Sequence, residues 1–186
     1  MTKQQEQQQQ QQWKVTLNVE VDGQSMSCPV GIGLLREIVF SCPDTEDSSP
    51  LFEFLAQHPS PGIRLNVANK EFLSENAVMR LSEDADISVL RNLCSNGKFK
   101  RYAREDIVVQ LIAKDRECAE TIASNIDEFR NCDTDALIKA FITNADPERR
   151  FFLINYYRTP ARVLKGLGED PDPGVAAEAR KALAER

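Results

Sequence analysis

The stretch LKGLGEDPDPGVAAEARKAL, residues 164–183, decides the reading of this chain. Pro171 and Pro173 alternate with Asp170 and Asp172 directly ahead of an alanine-rich amphipathic run. A helix does not run on through the residue before a proline, because the ring clashes with the preceding backbone. The stretch therefore reads as helix, stiff corner, helix. The same grammar stands upstream in FLAQHPSPGIRLNVAN, residues 54–69: a leucine, a short polar step, Pro-x-Pro-Gly, a β-branched residue and a second amphipathic run.

Between these copies lie LSEDADISVLRNLCSN (81–96), LIAKDRECAETIASN (111–125) and FITNADPERRFFLIN (141–155), each an apolar anchor, a polar corner and a new helical pattern. The anchors Leu55, Leu81, Leu111, Phe141 and Leu167 follow one another at intervals of 26, 30, 30 and 26 residues. A period in this range is that of stacked supersecondary units, each unable to cover its own apolar face and covered by its neighbours. ENAVMRL, EDIVVQL, TDALIKAF and PARVLKGL supply the further apolar stripes. Asp86, Asp115, Asp146 and Asp172 stand where a carboxylate can accept from the free N–H groups of the following helix and complement its dipole. Pro147 and Pro160 suit a first helical turn, where no intrahelical donor is lost.

The remaining chain bounds this core. Residues 1–12, MTKQQEQQQQQQ, are glutamine-rich with nothing to bury and are expected to be disordered. Residues 13–50 read as an N-terminal cap: WKVTLNVEVDGQSMSCPV alternates Val15, Leu17, Val19 and Val21 and then reaches Asp22-Gly23, a strand and tight-turn signal, ahead of a first helix in GIGLLREIVFSC. A lone hairpin is marginal in water, so its apolar face is expected to lie on the helical body and cover the end of the first repeat. Residues 51–186 are the helical repeats. The expected fold is thus mainly α, an α-helical solenoid of short repeats with a hairpin cap.

RTPARVLKGLGEDPDPGVAAEARKAL (158–183) and LAQHPSPGIRLNVAN (55–69) resemble the leucine-rich repeat variant pattern, close to the broader HEAT-like class. That pattern has a Thr-Pro opening, a Leu-x-x-Leu run, an Asp-x-Asp corner and a following helix, all four of which stand in the 158–183 copy. The middle copies keep the anchors but have Arg104-Glu105 and Asp133-Thr134 where the Thr-Pro opening is expected. The resemblance covers roughly residues 51–183 and implies a right-handed solenoid without a shared enzymatic activity. Some relatives carry a cysteine cluster for an iron–sulfur centre, which Cys28 and Cys42, with thirteen residues between them and no neighbouring partners, do not match.

Composition narrows the function. A net charge of −6 disfavours general attraction to nucleic acid or anionic lipid, and no apolar run approaches the ~20 residues of a membrane helix. The start has no apolar h-region, so a cytoplasmic protein with reduced thiols is expected. The single histidine, His58, has no nucleophile motif beside it, and VGIG (30–33) has no phosphate-binding fingerprint around it. Catalytic residues, cofactor and metal are each expected to be none. Cys28, Cys42, Cys94, Cys118 and Cys132 lack metal-ligand spacing, and Cys94 and Cys118 fall at core positions of their repeats.

Two basic-aromatic runs stand out in this acidic chain. NGKFKRYAR (96–104) brings Lys98, Lys100, Arg101 and Arg104 with Tyr102 and Phe99, and ERRFFLINYYR (148–158) brings Arg149, Arg150, Tyr156, Tyr157 and Arg158. Basic groups interleaved with aromatics hold phosphates, bases or protein partners. The primary expectation is a non-catalytic scaffold that binds another protein. The alternative is a nucleic-acid or phosphate-ligand binder, which the net charge disfavours.

Overall fold

The computed structural model describes residues 13–186; the glutamine-rich segment 1–12 lies outside the described residues. The chain opens with a two-stranded antiparallel hairpin, β1 (Thr16–Val21) and β2 (Gln24–Pro29), whose register pairs Leu17 with Cys28, Val19 with Met26 and Val21 with Gln24. Asp22 and Gly23 join the strands with φ of 50° and 75°, the left-handed pair that a two-residue hairpin turn requires and that Asp-Gly adopts at little cost.

Everything after the hairpin is helical. α1 (Ile32–Ser41) is followed by a 3₁₀ turn at Glu46–Ser48 and then by α2 (Ser49–Leu55), α3 (Pro61–Ala68), α4 (Glu75–Ser82), α5 (Ile87–Cys94) and a short α6 (Gly97–Tyr102). α7 (Glu105–Lys114), α8 (Arg116–Ala123), a 3₁₀ turn at Ile126–Glu128, α9 (Thr134–Ile142), α10 (Pro147–Asn155), α11 (Ala161–Leu167) and α12 (Pro173–Ala184) complete the chain. The five anchors are all buried, between 0% and 4% exposed. The corner aspartates behave as local chemistry requires: Asp86 accepts from Ser88 N–H, Asp115 from Cys118, Asp146 from Glu148, and Asp172 from both Gly174 and Val175. Such a cap contributes about 1 kcal/mol to its helix. Pro147 lies in a first helical turn, whereas Pro160 sits one position earlier, as the residue preceding α11.

The helices pair as α2/α3, α4/α5, α7/α8, α9/α10 and α11/α12. Second helices pack on second helices, α3 on α5, α5 on α8, α8 on α10 and α10 on α12, and α1 joins the head of this row by packing on α3. First helices meet likewise, α2 on α4 and α7 on α9, with α6 packed between α4 and α5. Among the described residues, every extensive helix contact lies within a pair or between adjacent pairs.

Polar ties run along both edges of this arrangement. At the corners, Arg64 grips Asp84 through Nε and Nη2 (2.6 and 2.9 Å), Arg91 grips Asp115 (3.1 and 2.8 Å) and Arg150 grips Asp170 (2.7 and 2.9 Å). The copies at Arg64 and Arg150 share more than the pair. Arg64 Nη1 also donates to the His58 and Pro59 carbonyls, Arg150 Nη1 to those of Asn144 and Ala145, and Asp84 and Asp170 each accept from the N–H two residues on. At the far ends of the second helices, Lys70 donates to the Phe40 and Cys42 carbonyls and buried Asn96 donates to those of Ala68 and Lys70. Tyr156 and Arg158 reach Asp127 there, and Arg186 reaches the Tyr156 and Thr159 carbonyls. These far-edge ties join residues 26 to 31 positions apart, which is the spacing of the sequence anchors.

The hairpin departs from expectation. Every residue of β1 and β2 is exposed, with Leu17 at 42%, Val19 at 44% and Val21 at 62%, so its apolar face does not cover the first helices. Only the base is anchored: Trp13 packs on the rings of Phe54 (4.7 Å) and His58 (4.9 Å), and Val15 and Val30 lie against the core. At this end of the row it is α1 that packs on α3, and the strands stand clear of the helices.

Candidate functional site

The NGKFKRYAR run becomes α6. Asn96 caps it by accepting from Lys98 N–H (2.7 Å), and Phe99 points inward, fully buried and edge-on to Phe129 at 5.8 Å. With that one side chain fixed in the core, Lys98, Lys100 and Arg101 on the remaining turn are directed outward. They border a groove of about 850 Å³ that crosses the ends of α3 and α5, the whole of α6 and the turn after α8. Asn92, Asn96 and Glu71 line one side, and Asp127, Glu128 and Arg130 the other.

The groove's charges are not equally committed. Lys100 is bound to Glu128 (2.8 Å) and Asn125 (2.7 Å), and Asp127 accepts from both the Tyr156 hydroxyl and Arg158. Those two hydrogen bonds, the tyrosine's first, hold the Asp127 carboxyl below the usual carboxylate range, while burial and the same bond push Tyr156 up to about 12. Lys98 lies over the Phe72 ring (5.7 Å) and Arg101 over the Tyr102 ring (5.3 Å), and neither pairs with a carboxylate among the described residues. Arg130 is exposed and likewise has no side-chain ion pair among them. Three cations are thus uncommitted at a groove in an acidic chain. Arg130, which the sequence reading did not single out, follows Lys100 by one repeat length, and its N–H donates to the Lys100 carbonyl (3.0 Å).

The second basic-aromatic run divides. Arg150 is buried in its pair with Asp170, and Arg149 is buried with Nε on the Ile112 carbonyl (3.1 Å) and Nη1, 3.8 Å from Asp146, without a hydrogen-bond partner among the described residues. Tyr156 is buried too. None of these three side chains is presented to a partner, because each is spent on joining adjacent helix pairs. Tyr157 is 72% exposed, with the Arg158 guanidinium over its ring (5.1 Å). Asp127 links the two runs, since it lines the groove and receives Tyr156 and Arg158. Arg104 faces away from the groove and forms an exposed two-point pair with Asp106.

His58 is buried, accepts at Nδ1 from Ser60 N–H (3.0 Å) and stacks near Trp13; burial holds its pKa below the usual value. This is a corner-forming histidine. Among the described residues, no group of three or more His, Cys, Asp or Glu side chains is placed to hold a metal ion, and no helix is long and apolar enough to cross a membrane. Cys94 and Cys118 are fully buried, and interaction with the Cys118 thiol, and then burial, push Cys94 far above the ordinary thiol range. No family model matches this chain, and neither a curated protein nor a solved structure matches it.

Proposed function

We propose that this chain is an α-helical solenoid of the leucine-rich-variant or HEAT-like kind and that it works as a non-catalytic scaffold in the cytoplasm, holding an acidic segment of a partner protein in the groove beside α6. Packing confined to adjacent helix pairs, with ties recurring at the repeat interval, supports the solenoid reading. The observation that carries the functional reading is the set of uncommitted cations, Lys98, Arg101 and Arg130, around one groove that spans three successive units. Planar guanidiniums with free forks pair two-point with carboxylates.

A nucleic-acid or phosphate ligand is the second reading, favoured by the same cations and by the Arg101–Tyr102 stack. Glu71, Asp127 and Glu128 on the groove walls oppose it, because a continuous polyanion meets those carboxylates while a peptide with spaced acids need not. Titration by fluorescence anisotropy with an alternating Glu-Ala peptide and with a single-stranded oligothymidylate separates the two. We expect the peptide to bind, and Arg101→Glu with Arg130→Glu to abolish binding while leaving thermal stability unchanged. Oligothymidylate binding that falls steeply with salt, without peptide binding, transfers the site to the second reading.

A further inference from the structure

The hairpin carries an interaction surface independent of the groove. A two-stranded ribbon is marginal by itself, and this one is exposed along both strands and packs extensively on no helix among the described residues. Its register places Leu17, Val19, Val21, Met26 and Cys28 on one face and Thr16, Asn18, Glu20, Ser25 and Ser27 on the other. Its two edges differ. The Val30 N–H to Val15 carbonyl bond (2.8 Å) fixes the odd-numbered residues of β1 as the ones bonded to β2, so the N–H and C=O groups of Thr16, Asn18 and Glu20 point outward and, among the described residues, are unpaired. On β2 the outward set includes Pro29, which has no N–H to offer. The β1 edge has no proline and no bulge, two of the devices that keep an edge from pairing, and its one outward charge is Glu20.

We propose that the free edge of β1 pairs antiparallel with β1 of a second copy of this chain, about a two-fold axis through Val19, giving a four-stranded sheet. The sequence of the strand argues for its own copy as the occupant. In this register Leu17 stands opposite Val21 of the second copy, Val19 opposite Val19, and Asn18 opposite Glu20, so apolar meets apolar and an amide meets each carboxylate. The outward-pointing residues, Asn18 and Glu20, are then the hydrogen-bonded pairs, as the ladder requires. A slip of one residue puts Leu17 against Glu20, and a slip of two toward the turn puts Glu20 against Glu20. An isologous contact of this kind closes as a dimer and leaves the groove beside α6 free.

The test is the mass of the full chain by sedimentation equilibrium. Dimerisation is expected. Asn18→Pro removes an outward N–H while sparing the bonds to β2 and yields monomer with an unchanged helical circular-dichroism spectrum. Asn18→Lys faces Glu20 of the second copy and tightens the dimer about twofold to thirtyfold over the two symmetry-related pairs, and Asn18→Glu weakens it by a similar factor. Val19→Cys, in a Cys28→Ser background, cross-links to itself under mild oxidation because these Cα atoms face each other at a non-hydrogen-bonded position. A wild-type chain that stays monomeric up to its solubility limit overturns the proposal. So does a dimer that is indifferent to the two charge substitutions and fails to cross-link through Val19→Cys.

Discussion

Replacing Arg150 by methionine tests the architecture at its most committed joint. Methionine keeps most of the aliphatic stem, so what is lost is the guanidinium: two bonds to Asp170 at 2.7 and 2.9 Å and those to the Asn144 and Ala145 carbonyls. The Arg150 and Asp170 side chains are 9% and 5% exposed, so the carboxylate is left buried with, among the described residues, the Asp172 N–H as its one remaining donor at 2.9 Å. Removing one partner of a buried pair costs about 3–5 kcal/mol, against a total stability of about 5–15 kcal/mol for a native chain. The corresponding fall in melting temperature is about 10 °C for a protein of this size. Arg64→Met removes the same set of bonds at the other end of the chain, from a pair with side chains 16% and 3% exposed, and a similar or slightly smaller loss is expected. Urea denaturation followed by circular dichroism gives both numbers, and hydrogen exchange shows where the loss falls: around α11 and α12 for Arg150→Met and around α2 and α3 for Arg64→Met. A cost below about 1 kcal/mol in either variant, the value of an exposed surface pair, refutes the reasoning.

Acid is expected to loosen the same edge. A carboxyl whose folded pKa lies below its unfolded value stabilises the fold above the unfolded value and loses that contribution as pH falls through the folded one. The bond from Arg91 holds Asp115 at about 2, so its share is complete above the unfolded carboxyl value near pH ~4 and disappears toward pH 2; Asp115→Asn should flatten the acid limb of the stability curve over that window. The cysteines should react in order of access. Exposed Cys28 alkylates first, Cys132, pushed up to about 11 by burial, far more slowly, and Cys94 with Cys118 only on unfolding, as peptide mapping after timed iodoacetamide treatment will register. Fast alkylation of Cys94 in the folded chain would contradict its placement.

How far the sequence was legible depends on the range of the forces involved. Corner aspartates cap helices through bonds two or three residues long, so Asp86, Asp115, Asp146 and Asp172 declare themselves in any window that contains them. The anchors declare themselves by periodicity, since burying one leucine per unit needs only that the units repeat. Asp-Gly likewise announced its turn. Arg149, Arg150 and Tyr156 could not be sorted this way, because their partners Ile112, Asp170 and Asp127 are 37, 20 and 29 residues away, and a basic-aromatic run looks the same whether it is spent internally or shown to solvent. Arg130 escaped notice for the complementary reason, as an isolated arginine that gains meaning only beside Lys98 and Arg101.

The sequence by itself determined that the chain would be a succession of helix–corner–helix units headed by a hairpin, because caps, turns and amphipathic stripes are short-range consequences of residue type. Tertiary structure alone decided which cations remain free, that the groove forms across three units, and that α1 rather than the hairpin packs at the head of the second-helix row. Those outcomes turn on competition among distant groups for the same buried partners, and no local stretch of chain contains both competitors.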